Sequence, residues 1–200
     1  MSYLTNYKKR NIMVFTLLKD DMEMIENFEE IEDLKARTYQ STVDELKLFT
    51  VKTANVAAIV SRGELFSIIY LSKKSDLAKY NIISITEPFQ KKHNSTIEVE
   101  CNNLLQLEFT DIRRKQSPEF LEEHKHSLLP ITDLQIKTIR DFIMANRNKP
   151  FIINCDAGIS RSPAIGMLVE NLIGTDDDIN KIQNFNRYSV NQLMLSKFGI

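Results

Sequence analysis

The stretch Phe151-Ile152-Ile153-Asn154-Cys155-Asp156-Ala157-Gly158-Ile159-Ser160-Arg161-Ser162 decides how this chain reads. It opens on an apolar run behind Pro150, which suits a short strand buried in a parallel sheet. From Ser162 onward, Ala164, Ile165, Leu168, Val169 and Leu172 fall on one helical face. The residues between strand and helix must form a tight loop, and Gly158 supplies the backbone freedom a closed turn needs.

Such a loop can turn successive backbone N–H groups inward, toward the positive end of the helix that follows. An anion binds there without a basic side chain. Arg161 adds a planar fork that matches two phosphate oxygens at once. Cys155 sits beneath these donors. The field that attracts an anion also favours the thiolate, which is the attacking form of sulfur. The hydroxyl of Ser162 can hydrogen-bond that sulfur and help it leave. A free cysteine is most often an ordinary buried thiol, but that reading makes the spacing of Gly158, Arg161 and Ser162 around Cys155 a coincidence.

The run from Cys155 to Ala164, Cys-Asp-Ala-Gly-Ile-Ser-Arg-Ser-Pro-Ala, resembles the signature loop of cysteine-dependent protein phosphatases. It is most similar to the dual-specificity branch, with its pattern His-Cys-x-x-Gly-x-Ser-Arg-Ser, and to compact bacterial and viral members. The resemblance spans about residues 64–200. It implies Cys155 as nucleophile and Arg161 as the phosphate-binding arginine. Asp156, Ala157, Gly158, Ile159, Ser160 and Arg161 would line the phosphate, and Ser162 would assist release. The chain departs from the pattern at Asn154, where the family has a histidine that holds the loop and keeps the thiol acidic. Asparagine donates hydrogen bonds but carries no charge. That difference keeps a second expectation open, a phosphate-binding module that turns over weakly.

The family also places an aspartate after an earlier strand as proton donor to the leaving oxygen. Asp111 is the matching position, just past the half-buried strand at residues 104–109. Its loop, residues 110–129, is long and charged, as a lid over a substrate would be. Asp133 is the alternative acid, although a place at a helix N-terminus suits capping; Glu108 points with the strand. Near the end, Arg187 and Asn191 match the Arg-x-x-x-Asn that precedes the last helix in dual-specificity relatives. There they would anchor that helix and brace the loop. His124 and His126 read as solvated, and no metal or cofactor is expected.

Outward from the loop, strands alternate with helices, which predicts an α/β fold with a central, mostly parallel sheet covered by helices on both faces. Strands are expected at residues 46–51, 55–60, 66–71, 81–86 and 104–109, with a helical turn near 75–79. Thr132 and Gln135 form a capping-box pair ahead of a helix to about Asn146. Asp176 caps a short helix, and a last helix covers residues 190–198. The chain is expected to divide near residue 60. Residues 61–200 would form the catalytic domain, and residues 1–60 an α+β extension packed on it. That extension holds a strand at 11–18 and an acidic amphipathic helix at 20–36, with Met24, Ile25, Phe28, Ile31 and Leu34 at helical spacing. Its surface is a candidate partner-binding face.

The 200 residues are 42% hydrophobic and 26% charged, which is globular composition. A net charge of -1 gives no general pull toward nucleic acid or anionic membrane. No segment is long enough to span a bilayer. The basic-then-apolar start resembles a signal peptide only in part, because Lys19, Asp20 and Asp21 follow at once. A disulfide between Cys101 and Cys155 would disable the nucleophile, so a reducing, cytoplasmic setting is expected. Lipid phosphatases of the superfamily tend to carry lysines inside the loop; Asp156, Ala157 and Ile159 disfavour a polyanionic head group. RNA-directed relatives carry different loops, and the chain lacks the basic surplus to follow an RNA backbone. A phosphorylated tyrosine, serine or threonine of a protein is the expected substrate.

Overall fold

A computed structural model of the chain describes residues 50–71, 77–88 and 103–200. The strand expected at 11–18, the acidic helix at 20–36, Cys101, and parts of the elements expected at 46–51 and 75–79 lie outside the described residues.

Four strands form one sheet: β1 (Val56–Ser61), β2 (Asn81–Thr86), β3 (Leu104–Glu108) and β4 (Phe151–Cys155). Their order is β1-β4-β2-β3, and every neighbouring pair is parallel. The expected α/β architecture is therefore present. β4 lies between β1 and β2, with Ser61 opposite Cys155 and Ser84 opposite Asn154. All five residues of β4 are buried, as expected of a strand with neighbours on both edges and helices on both faces. The proposed domain boundary at residue 60 falls inside β1.

Alternation along the strands divides the core in two. Ile59, Ile83, Ile85, Phe151, Ile153 and Cys155 face one side and pack under four helices. These are α3 (Asp133–Ala145), α4 (Arg161–Ile173), α5 (Asp176–Gln183) and α6 (Gln192–Phe198). Ala58, Val60, Ile82 and Ile152 face the other side and pack against α1 (Arg62–Leu71) and Leu77. A short helix, α2 (Pro118–Glu123), lies within the loop that follows β3. Among the described residues no helix is long and apolar enough to cross a membrane.

Most elements match local signals. Thr132 and Gln135 make the reciprocal capping box of α3; α5 is capped by Thr175 and not by the expected Asp176, which is its first helical residue, because the Thr175 hydroxyl accepts the N–H of Asp178. The exception is the segment at 66–71, expected as a strand and found as the body of α1. Its Phe-Ser-Ile-Ile-Tyr run favours β structure in isolation. Upstream, however, Ser61 Oγ accepts the backbone N–H of Glu64, and the Glu64 carboxylate accepts the N–H of Ser61. This second capping box starts a helix, which then buries Leu65 and Ile68, three positions apart, on the sheet. Thr50 and Val51 are not in a strand either; the Thr50 hydroxyl instead bonds the backbone of Ile59.

Candidate active site

The carboxyl ends of the strands carry the candidate site, as open parallel sheets generally arrange. Cys155 ends β4 and is 2% exposed. Its Sγ lies 3.2 Å from Ser162 Oγ, in the first turn of α4. The two are brought together by the reversal between strand and helix.

That reversal is tight because it rests directly on β1. Gly158 has φ +69°, and a Cβ there would lie 2.5 Å from Val60 C and Ser61 N. Only glycine fits both the left-handed backbone and the contact. The loop carbonyls are held by neighbouring segments. Arg62 N–H donates to Asp156 O at 3.2 Å, Ser189 N–H to Ile159 O at 2.7 Å, and Asn191 N–H to Ser160 O at 3.2 Å. By contrast, the N–H groups of residues 157–160 have no acceptor among the described residues. Ser160 occupies the N-cap position of α4 without capping it; its hydroxyl turns to Asp111 Oδ1 at 2.8 Å. The loop thus offers main-chain donors at the positive end of a thirteen-residue helix.

Arg161, the first residue of α4, is buried. Nη1 donates to Phe109 O at 2.6 Å, and the guanidinium carbon lies 5.9 Å from the Phe109 ring centroid. Nη2 pairs with Glu87 Oε1 at 2.7 Å and Asp156 Oδ2 at 3.3 Å. Nε is buried and has no hydrogen-bond partner. The head of the fork is therefore fixed, while one inner donor is left to bind something else. Asp156 also pairs with Arg62 at 2.9 Å, anchoring the loop to the start of α1.

Asp111 lies just past β3 and touches the loop from the side. Oδ1 accepts Ser160 Oγ–H and Asn191 Nδ2–H, both at 2.8 Å. Arg113 Nε approaches Oδ2 at 3.3 Å. Asn191 also caps α6 through Met194 N–H, so one side chain ties the last helix to the loop after β3. Arg187 reaches elsewhere, to Glu64. Asn154 points to the opposite face of β4, and both its side-chain polar atoms are buried without a partner. The other acids stand apart: Asp133 begins α3 and Glu108 is exposed at the end of β3. His124 stacks on Phe120 within the loop at 110–129, with ring centroids 4.1 Å apart.

Glu87 was not anticipated. It follows β2 immediately, and burial pushes its carboxyl above the ordinary value of 4.5. The Arg161 guanidinium opposes that rise, while the charges of Asp156 and Asp111 add to it. An acidic residue at the carboxyl end of an apolar strand was the available signal, because such ends meet at the ligand side of a parallel sheet. Glu64 and Arg62 were missed as well; the Ser-x-x-Glu pattern at Ser61 announced Glu64 as a capping residue.

No family model and no curated protein matches the chain. The crystal structure of human tyrosine phosphatase-like serine/threonine/tyrosine-interacting protein is similar to it, with a TM-score of 0.43 and 14% identity. The match covers 70% of this chain and 83% of that one.

Proposed function

We propose that this protein hydrolyses phosphate monoesters through a cysteinyl-phosphate intermediate. The observation that carries the reading is the buried, unpartnered Arg161 Nε in the same loop as Cys155 Sγ and a set of unengaged backbone N–H groups. A buried donor without an acceptor carries a cost of about 1–3 kcal/mol, which a bound oxyanion would relieve.

In this reading the Cys155 thiolate attacks phosphorus and the ester P–O bond breaks. The departing oxygen takes a proton from Asp111. The phosphoryl oxygens meet the N–H groups of the loop and the Arg161 fork, where charge builds in the transition state. Water then attacks phosphorus and gives its proton to Asp111. The S–P bond breaks, and the Ser162 hydroxyl, 3.2 Å from the sulfur, stabilises the returning thiolate. Nothing in these steps calls on a metal ion. Asp156 and Ile159 at the loop's variable positions favour a phosphorylated protein side chain over a polyanionic lipid head group. A sulfur that must stay reduced favours the cytoplasm.

A second reading is a phosphate-binding module with weak turnover, favoured by Asn154, whose buried amide braces nothing. Hydrolysis of an aryl phosphate in the presence of chelator separates the two. Turnover abolished by Cys155→Ser supports the enzyme. Phosphopeptide binding without turnover supports the module. Neither binding nor turnover would sink both.

A further inference from the structure

We infer that Glu87 is a positioning residue that couples the phosphate-binding arginine to the loop carrying the acid, a role that rests on the phosphatase reading above. The sheet order supplies the placement. β2 lies between β4, which leads into Cys155 and Arg161, and β3, which leads into Asp111. The residue just beyond the carboxyl end of β2 is therefore the one from which a short side chain reaches both loops. That residue is Glu87.

Its carboxylate reaches toward both loops. Oε1 accepts Arg161 Nη2–H at 2.7 Å, and the carboxylate accepts the backbone N–H of Asp111. Arg161 Nη1 meanwhile donates to Phe109 O, two residues before Asp111. The guanidinium thus grips the start of the acid loop twice, directly at Phe109 and through Glu87 at Asp111. Nη2 is engaged by Glu87 and Asp156 and Nη1 gives one N–H to Phe109 O, so Nε, buried without a partner, is the inner donor turned to an oxyanion. With Glu87 removed, Nη2 would keep only Asp156, at the longer 3.3 Å, and Asp111 would lose its main-chain tether.

Burial of Glu87 accords with this role. The side chain is 20% exposed and lies near two other carboxylates, Asp156 and Asp111. An acidic residue in that setting is costly unless a cation pairs with it, and Arg161 is that cation. Glutamine would keep an acceptor of the same shape without the charge; alanine would keep neither.

The test compares wild type, Glu87→Ala, Glu87→Gln, Asp111→Ala and the Glu87→Ala/Asp111→Ala double variant on aryl phosphates of graded leaving-group acidity. A displaced acid slows poor leaving groups most. Glu87→Ala is expected to lose about a hundredfold in kcat on the poorest leaving group and much less on the best, as Asp111→Ala does. The double variant should be no more sensitive to leaving-group acidity than Asp111→Ala alone, any further loss through Arg161 falling equally on every substrate. Glu87→Gln should recover part of the loss, and inhibition by vanadate should weaken in Glu87→Ala through Arg161. A role in folding alone would lower all substrates equally, and that outcome overturns the inference, as does a wild-type leaving-group profile in Glu87→Ala. Should Glu87→Ala fail to fold, the profile of Glu87→Gln decides between the same outcomes. A wild-type chain that neither hydrolyses aryl phosphates nor binds vanadate removes the phosphatase reading, and this inference with it. An active wild type with an indifferent Glu87 removes this inference alone.

Discussion

Arg187 Nη2 lies 2.9 Å from both carboxylate oxygens of Glu64, joining the segment before α6 to the first turn of α1. Glu64 is 2% exposed and also accepts the N–H of Ser61, the residue opposite Cys155 in the sheet. The pair therefore clamps the end of β1, on which the Gly158 turn rests. Removing one partner of a buried pair costs far more than the pair contributes net, because a charge is left behind in a poor solvent. Arg187→Ala is expected to lower unfolding free energy by about 3 kcal/mol. Urea unfolding checks it, and a loss under about 0.5 kcal/mol, as at an ordinary surface site, would mean that solvent reaches Glu64 easily.

Gly158→Ala tests the close approach of the loop to β1. The new Cβ meets backbone, not a flexible side chain, at 2.5 Å, and φ +69° is strained for alanine. The loop must lift. Stability should fall by about 1–3 kcal/mol, and vanadate binding should weaken with it, because the N–H groups no longer converge. A melting temperature and an inhibition constant equal to wild type would contradict the geometry.

Arg161→Lys asks whether charge alone suffices. Lysine cannot reproduce a planar fork that reaches Phe109 O, Glu87 and Asp156 together. Aryl phosphate turnover should fall by on the order of a hundredfold to a thousandfold while the positive charge is kept. Near-normal turnover would show that the fork is dispensable.

Glu87 also gives stability a pH dependence of known sign. Burial raises its folded value above 4.5, so the folded chain holds that proton more tightly than the unfolded chain does. This contribution is fully present below 4.5 and is lost as pH rises from 4.5 through the raised folded value. Glu87→Gln removes the titration. Wild-type stability measured from about pH 4 to about pH 7 should therefore decline relative to the variant as pH rises. An unchanged difference, or one of opposite slope, would show that the Arg161 pairing outweighs burial.

Where the chain's own neighbours decide the conformation, the elements could be read in advance. Thr132 with Gln135 announces α3, and Pro150 with the apolar run announces β4, because caps and periodicity act within a few residues. The segment at 66–71 was misread for a related reason. Its β-branched and aromatic side chains suit either a strand or a helix packed on a sheet. The deciding signal, Ser61 with Glu64, lies just upstream of the run itself.

The sequence by itself determined that Cys155, Gly158, Arg161 and Ser162 share one strand-to-helix turn, since a loop this short leaves no other geometry. It could not say what would meet that turn from the side. Glu87 on Arg161, Asn191 on Asp111 and Arg187 on Glu64 join residues far apart in the chain. Which of them become neighbours was decided by the strand order β1-β4-β2-β3 and by the path of the C-terminal segment. The reason is physical: a side chain's local preference reaches about one helical turn, whereas sheet order is set by how both faces of four strands are buried at once.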